Sequence, residues 1–368
     1  MNFNFNFPTR LISGEGCLAA NADLLKLGRH ALIVTGRSSA KRSGVLDDLL
    51  PLLDAAGIAH TIFDQITENP PILTCHAGGQ LGHAVGADFV IGIGGGSPLD
   101  GAKAIAAFVA NPTIAPEEIY DPAKRTAPSL PIIAIPTTAG TGSEANPYSI
   151  LTLPDGLRKK TFTAPESWPR YSFLDPRYTA SLPVSATVSC ALDAFAHAIE
   201  SYLSAKSTVV SEQMALWAAG QIWPILAARP AEYTPAMREA LLYAATAAGI
   251  AISITGTGFP HPLGYSLTLL DGIPHGRACA IFDGDYITYN ARTEWGAARL
   301  AAFANAAGTD LDTLARALPA LSEVEFSFTE AQIAERVELI AGAKNYANSP
   351  YVLSKDEIYE IYRAHFAK

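Results

Sequence analysis

The stretch Asp88-Phe-Val-Ile-Gly-Ile-Gly-Gly-Gly-Ser-Pro-Leu-Asp100 decides the fold. A short apolar run ends in three glycines, and a segment of helical length and composition opens directly after them. That order, strand then glycine turn then helix, is one half of a βαβ unit. The same grammar repeats on either side. Upstream, Ala31-Leu-Ile-Val-Thr35 stops at Gly36, and His60-Thr-Ile-Phe63 follows a helix-like stretch. Downstream, Leu130-Pro-Ile-Ile-Ala-Ile135 runs into the loop Thr137-Thr-Ala-Gly-Thr-Gly-Ser143. Apolar runs separated by helix-length segments indicate a mainly parallel sheet. The start of the chain, MNFNFNFPTR, alternates Phe3, Phe5 and Phe7 with Asn and reads as a further strand with one aromatic face. A strand of that kind is covered by its own domain or by a second copy, so a homodimer is expected.

Beyond about residue 178 the texture changes to Ala- and Leu-rich stretches with helical spacing, at 186–204, 211–228, 236–255 and 329–343. The turn-rich Asp175-Pro-Arg-Tyr-Thr-Ala-Ser-Leu-Pro183 lies at the change. The fold class is therefore an α/β dinucleotide-binding domain over 1–177 and an all-helical domain over 178–368.

Composition excludes several classes. The 368 residues are 49% hydrophobic and 17% charged, which suits a large buried interior. A net charge of -9, with no Lys/Arg cluster, argues against a nucleic-acid partner. The four cysteines contain no C-x-x-C pair and read as the reduced thiols of a cytoplasmic protein. The first residues lack a basic region followed by an apolar core, so no signal peptide is expected. Residues 240–260 carry no charge, but they are rich in Ala and Gly and include Thr246, Ser253 and Thr255. A core helix is expected there rather than a membrane span.

Two loops carry the first functional signal. In Gly94-Gly-Gly-Ser97 the glycines let a backbone approach pyrophosphate, and the amides of the following helix supply the positive end of its dipole. The competing reading is structural: Ser97 with Asp100 forms a capping box, with Pro98 at the first helical position. The second loop follows the next strand, so both belong at the carboxyl edge of the sheet, where ligands gather. The Thr138 and Thr141 hydroxyls suit a phosphate or a nicotinamide amide, and equally suit simple turn formation.

The second signal lies in the helical half. From Tyr178 to Ala205 the only acidic or basic groups are Asp193, His197 and Glu200. Asp193 and His197, four residues apart, share one helical face among Leu192, Phe195, Ile199 and Leu203. A hydrogen-bonded Asp–His pair would satisfy that spacing alone. His261 in Phe-Pro-His-Pro-Leu-Gly and His275 in Gly-Ile-Pro-His-Gly add two further imidazoles held by Pro and Gly. One carboxylate and three imidazoles suit Fe²⁺ or Zn²⁺, with positions left for substrate.

Taken together, these residues make the chain resemble the iron-containing alcohol dehydrogenase family. GGGSPLD, TTAGTGSE, DAFAHAIESYLS, and a His followed fourteen residues later by the His of GIPHG occur in the family's order. The resemblance implies a dehydroquinate synthase-like architecture with the metal and substrate in the helical domain. It implies Asp193, His197, His261 and His275 as metal ligands, and Gly95, Gly96 and Ser97 as pyrophosphate contacts, with Asp100 in the same motif. Thr138 and Thr141 become cofactor contacts, and Lys160 resembles the family lysine near the cofactor, although it also reads as a surface lysine. One position departs: Tyr265 stands where many members carry a histidine near the nicotinamide that is implicated in the proton path.

Cofactor choice is read after Ala31–Thr35. NAD-specific folds place an acid there for the ribose diol, and that acid repels a 2′-phosphate. Here the position is Gly36, followed by Arg37, Ser38 and, further on, Arg42, all able to donate to phosphate. NADP is expected, with NAD as the alternative and a solvated basic loop as the bland reading. The expected activity is metal-dependent hydride transfer between NADP(H) and a small alcohol or aldehyde. A dehydroquinate synthase-like lyase using NAD and a metal is the alternative. That chemistry needs cations around an anionic substrate, and Arg277 is the single one beside the metal motifs.

Overall fold

The computed structural model describes residues 3–367. Eight strands occur among them: β1 Arg10–Ser13, β2 His30–Gly36, β3 Ala59–Ile66, β4 Phe89–Gly94, β5 Ile132–Pro136, β6 Ser149–Thr152, β7 Lys159–Phe162 and β8 Tyr171–Leu174. Six form one sheet in the order β1-β8-β5-β4-β2-β3, and every neighbouring pair is parallel. β6 and β7 form a separate antiparallel hairpin.

The reason β2, β4 and β5 read as continuous apolar runs is visible in their neighbours. Leu32, Val34, Val90 and Ile132 pack on one face with Ile105, Phe108 and Val109 of the helix Gly96–Ala110. Ala31, Ile33, Phe89, Ile91, Ile133 and Ile135 pack on the other with Leu49 and Leu53 of the helix Val45–Ala55. A parallel sheet covered on both faces favours apolar residues at nearly every position.

The N-terminal strand expectation is corrected. Met1 and Asn2 lie outside the described residues, and Phe3–Thr9 belong to no strand. Pairing starts at Arg10, which runs beside Tyr171 of β8. Pro8 has no N–H for a ladder. Phe7 instead meets the Trp168 ring edge-on at 5.6 Å, and Phe5 stacks on Phe7 at 6.2 Å. The strand on which the homodimer expectation was built is therefore absent from the described residues.

The chain divides into two compact units, one comprising Asn4–Pro183 with Tyr233–Thr246, the other containing Val184–Glu232 and Ala247–Lys368. The expected long helices occur at Val184–Leu203, Val209–Ala228, Pro235–Thr255 and Glu330–Ile340. Of these, Pro235–Thr255 is long and apolar enough to cross a membrane by length and composition, yet just over half of its most apolar window is buried within the chain. Its Arg238 guanidinium donates to the Thr179 carbonyl at 2.5 Å and to the Leu182 carbonyl at 3.0 Å, both within the α/β unit. Thr255 donates to Ser201 at 2.9 Å within the helical unit. Partnered polar groups of this kind mark a core helix.

Candidate metal centre and cofactor loops

In the helical unit, Asp193 and His197 lie on the helix Val184–Leu203, His261 near the start of Pro260–Leu270, and His275 at the start of His275–Ala280. The last helix comes unusually close to the first. A Cβ on Gly276 would stand 1.8 Å from the Ser189 carbonyl oxygen, so only glycine permits the approach that brings His275 beside Asp193. The four expected ligands converge. Asp193 Oδ1 lies 3.8 Å from His197 Nε2, 3.6 Å from His261 Nε2 and 3.9 Å from His275 Nε2. The His197 and His261 rings stack at 4.6 Å, and His275 meets His261 edge-on at 5.3 Å. Asp193 and His261 are buried, whereas the His275 side chain keeps 29% of its surface open. Asp193 Oδ1 and His261 Nε2 have no hydrogen-bond partner among the described residues. Two orphaned buried polar atoms facing one another at ion-bridging separation fit a bound cation.

Electrostatics agree. Burial opposes the charge on Asp193, but the three imidazoles hold its carboxyl well below the usual range. Burial likewise opposes a charged His261, yet Glu200 and Asp193 raise it to about 10. A field that retains a proton so firmly also favours a metal ion.

Two participants escaped sequence reasoning. Glu200, fully buried, receives His261 Nδ1 at 2.7 Å and the Gly258 N–H. Its spacing of three residues from His197 puts it on the same helical side, which was the available signal. Cys279, read as an ordinary thiol, has its sulfur within 4.8 Å of donor atoms of Asp193, His261 and His275. It lies one helical turn after His275, a spacing that was legible.

In the α/β unit the two glycine loops meet. A Cβ on Gly95 would stand 3.1 Å from the Thr138 side chain, and one on Gly96 would stand 2.5 Å from Thr141 Cγ2. The capping-box reading is corrected: the helix begins at Gly96 with Gly95 as its cap residue, and no side chain caps it. Ser97 accepts from the Asn69 N–H at 3.2 Å, and Asp100 turns inward to Ser143 and Ile150. The first-turn amides are thus left to solvent or a ligand. Gly36 ends β2, and Arg37, Ser38 and Arg42 beyond it are exposed. Lys160 is exposed on β7, its ammonium 4.1 Å from the centre of the Tyr120 ring. Tyr265 is half-buried and stacks on His275 at 6.0 Å.

Comparisons with known proteins cover both halves of the chain. The family model for iron-containing alcohol dehydrogenase matches residues 8–176, and that for the C-terminal part of the Fe-containing family matches 187–366. The NADPH-dependent butanol dehydrogenase of Clostridium saccharobutylicum is 28% identical over 97% of this chain and 96% of its own length. Lactaldehyde reductase of Escherichia coli K12 is 33% identical over 76% of this chain and 73% of its own. An iron-containing alcohol dehydrogenase from Thermotoga maritima superposes with a TM-score of 0.91 at 36% identity, covering 99% of both chains. This chain belongs to the iron-containing alcohol dehydrogenase family and is a metal-dependent alcohol dehydrogenase and aldehyde reductase.

Proposed function

We propose that the chain interconverts a small alcohol and its aldehyde with NADP(H), using Fe²⁺ held by Asp193, His197, His261 and His275. The observation that carries the metal assignment is the pair of unpartnered, buried atoms Asp193 Oδ1 and His261 Nε2, 3.6 Å apart. When bound, the cation would polarise the substrate oxygen as a Lewis acid, and the nicotinamide would carry the hydride. The chain's own residues prepare that chemistry. Glu200 accepts the Nδ1 proton of His261, leaving Nε2 as the donor atom. The partly open His275 side chain marks the approach for substrate, with the Tyr265 ring as its wall. The uncapped amides of Gly96 and Ser97, behind Gly95 and joined by the Thr138 and Thr141 hydroxyls, would bind pyrophosphate.

NADP over NAD is supported by Gly36 at the end of β2 and by exposed Arg37, Ser38 and Arg42. Asp100 contributes from inside, since both of its oxygens are bonded within the chain. A lyase is disfavoured because Arg277 is drawn to the Ser322 carbonyl at 2.7 Å and to Glu323 at 2.9 Å. The reading carries a cytoplasmic location with it, in keeping with four free cysteines.

The test is a panel of small aldehydes and alcohols with NADPH and NADH, on iron-loaded and zinc-loaded protein, followed by nicotinamide absorbance. Metal-dependent turnover with NADPH ahead of NADH is expected. Cofactor bound without net turnover on any substrate would contradict the dehydrogenase reading, as a lyase or a catalytically silent nucleotide-binding protein would behave.

A further inference from the structure

We propose that Lys103, acting with Asp100 and Ser143, is a positioning residue that holds the Thr137–Ser143 loop against the glycine turn at Gly95 and Gly96. The inference rests on the reading of these loops as the cofactor site. Lys103 sits two turns into the helix Gly96–Ala110 and is fully buried. Its ammonium donates to Ser143 Oγ at 2.6 Å, to the Tyr148 carbonyl at 2.7 Å and to Asn146 Oδ1 at 3.4 Å, so its three protons have three acceptors. Asp100 Oδ1, 3.6 Å from that ammonium, accepts from Ser143 Oγ at 2.5 Å, and its Oδ2 accepts from the Ile150 N–H at 2.8 Å. Asn146 closes the loop by donating to the Gly142 carbonyl at 2.9 Å. The Ser143 N–H reaches Thr141 Oγ1 at 3.3 Å, which links the network to a hydroxyl lying over Gly96. Glu144 is anchored beside it by Thr246 at 2.7 Å and, through its carbonyl, by Ser172 at 2.7 Å.

Stability is a poor reason for such a network. A buried ion pair returns little beyond its desolvation cost, and apolar residues of similar volume do as well or better. Burial pushes Lys103 down to about 8 against the pull of Asp100 and Glu144, so the group is costly where it stands. Fully satisfied polar networks do, however, fix one geometry where apolar packing tolerates several. The geometry fixed here is the spacing between Thr141 and Gly96. That spacing decides whether the helix amides and the threonine hydroxyls converge on one phosphate.

The test compares Lys103→Met, the double variant Lys103→Met with Asp100→Asn, and Ser143→Ala. NADPH and NADH affinity are read by fluorescence titration, fold stability by thermal melting, and kcat at saturating cofactor. Lys103→Met should melt lower and bind cofactor at least about tenfold more weakly. The double variant, which removes the Asp100 charge as well and leaves Glu144 bonded to Thr246, should recover part of the melting temperature but stay weak for cofactor. Ser143→Ala should weaken binding about threefold or more, with the loss falling on cofactor affinity more than on kcat. Wild-type affinity in a folded double variant, or in Ser143→Ala, overturns the positioning role. Failure of the wild type to bind either nicotinamide would instead overturn the reading of the loops themselves.

Discussion

Glu200 Oε1 lies 2.7 Å from His261 Nδ1, while the other nitrogen of that ring is turned toward Asp193 Oδ1 at 3.6 Å. The carboxylate holds the tilt of the imidazole before any cation arrives, and keeps the Nδ1 proton when Nε2 gives up its own to a metal. Glu200→Gln keeps an acceptor but loses the charge, so metal affinity should fall about ten- to a hundredfold. Competition with a chromogenic chelator measures this. Asp193→Ala and His261→Ala should lose both metal and turnover, and a metal-free Asp193→Ala protein with full activity would contradict the site.

Metal-free protein should respond to pH through the same pair. Free histidine titrates near 6.5, whereas Glu200 and Asp193, overcoming burial, hold the His261 proton to about 10. Between those values the folded chain binds a proton that the unfolded chain does not. Its stabilisation is therefore complete below about 6.5 and is lost as pH rises through about 10. Measured against chelated His261→Gln, chelated wild type should lose stability progressively across that window, since Lys103, held down to about 8, acts in the opposite direction in both proteins. Parallel curves for the two proteins would refute the assignment.

Tyr265 stands where a proton-carrying histidine is common in the family, but its surroundings favour the neutral phenol. Burial, then Cys279, Glu200 and Asp193, all push its pKa upward from 10. With its ionisation opposed by burial, the ring is expected to serve as the pocket wall. Tyr265→Phe keeps the ring on His275 and should lower kcat by less than about tenfold. A thousandfold drop, with a titration vanishing from the pH–rate profile, would show that the phenol does carry the proton.

Gly36→Asp tests cofactor choice. A Cβ there would lie 3.3 Å from the Ile66 carbonyl oxygen and 3.4 Å from Ser39 Oγ, so the side chain fits with a small adjustment. A carboxylate at the end of β2 should weaken NADPH by roughly 2–4 kcal/mol and spare or improve NADH. Titration of both cofactors decides, and a wild type that prefers NADH would overturn the reading of residues 36–42.

Legibility in the sequence followed burial. β2, β4 and β5 could be read because both faces are covered, which forces uninterrupted apolar runs. β1, β6, β7 and β8 have four residues each, too few for a period to emerge. The Phe/Asn alternation at the start imitates a strand, yet Pro8 and the contact with Trp168 give those rings another use. In the metal centre the i, i+4 pair Asp193 and His197 was legible because helical geometry alone brings it together. Glu200 was visible as an ionisable group, but its partner lies 61 residues away, and no local pattern names it. Ser97 and Asp100 match a capping box in spacing, and tertiary bonds to Asn69, Ser143 and Ile150 override that match.

The pairing of β1 with β8 constrains the order of assembly. Arg10 lies beside Tyr171, about 160 residues later, so the first strand made has no partner until nearly half the chain has been synthesised. Closing so long a loop is among the slower steps available to a fold. Until then β8's place beside β5 is open, and an unpaired strand edge is a template for aggregation. On the ribosome, β2, β3 and β4 can pair early, while β1 can join that sheet only once β8 has been made.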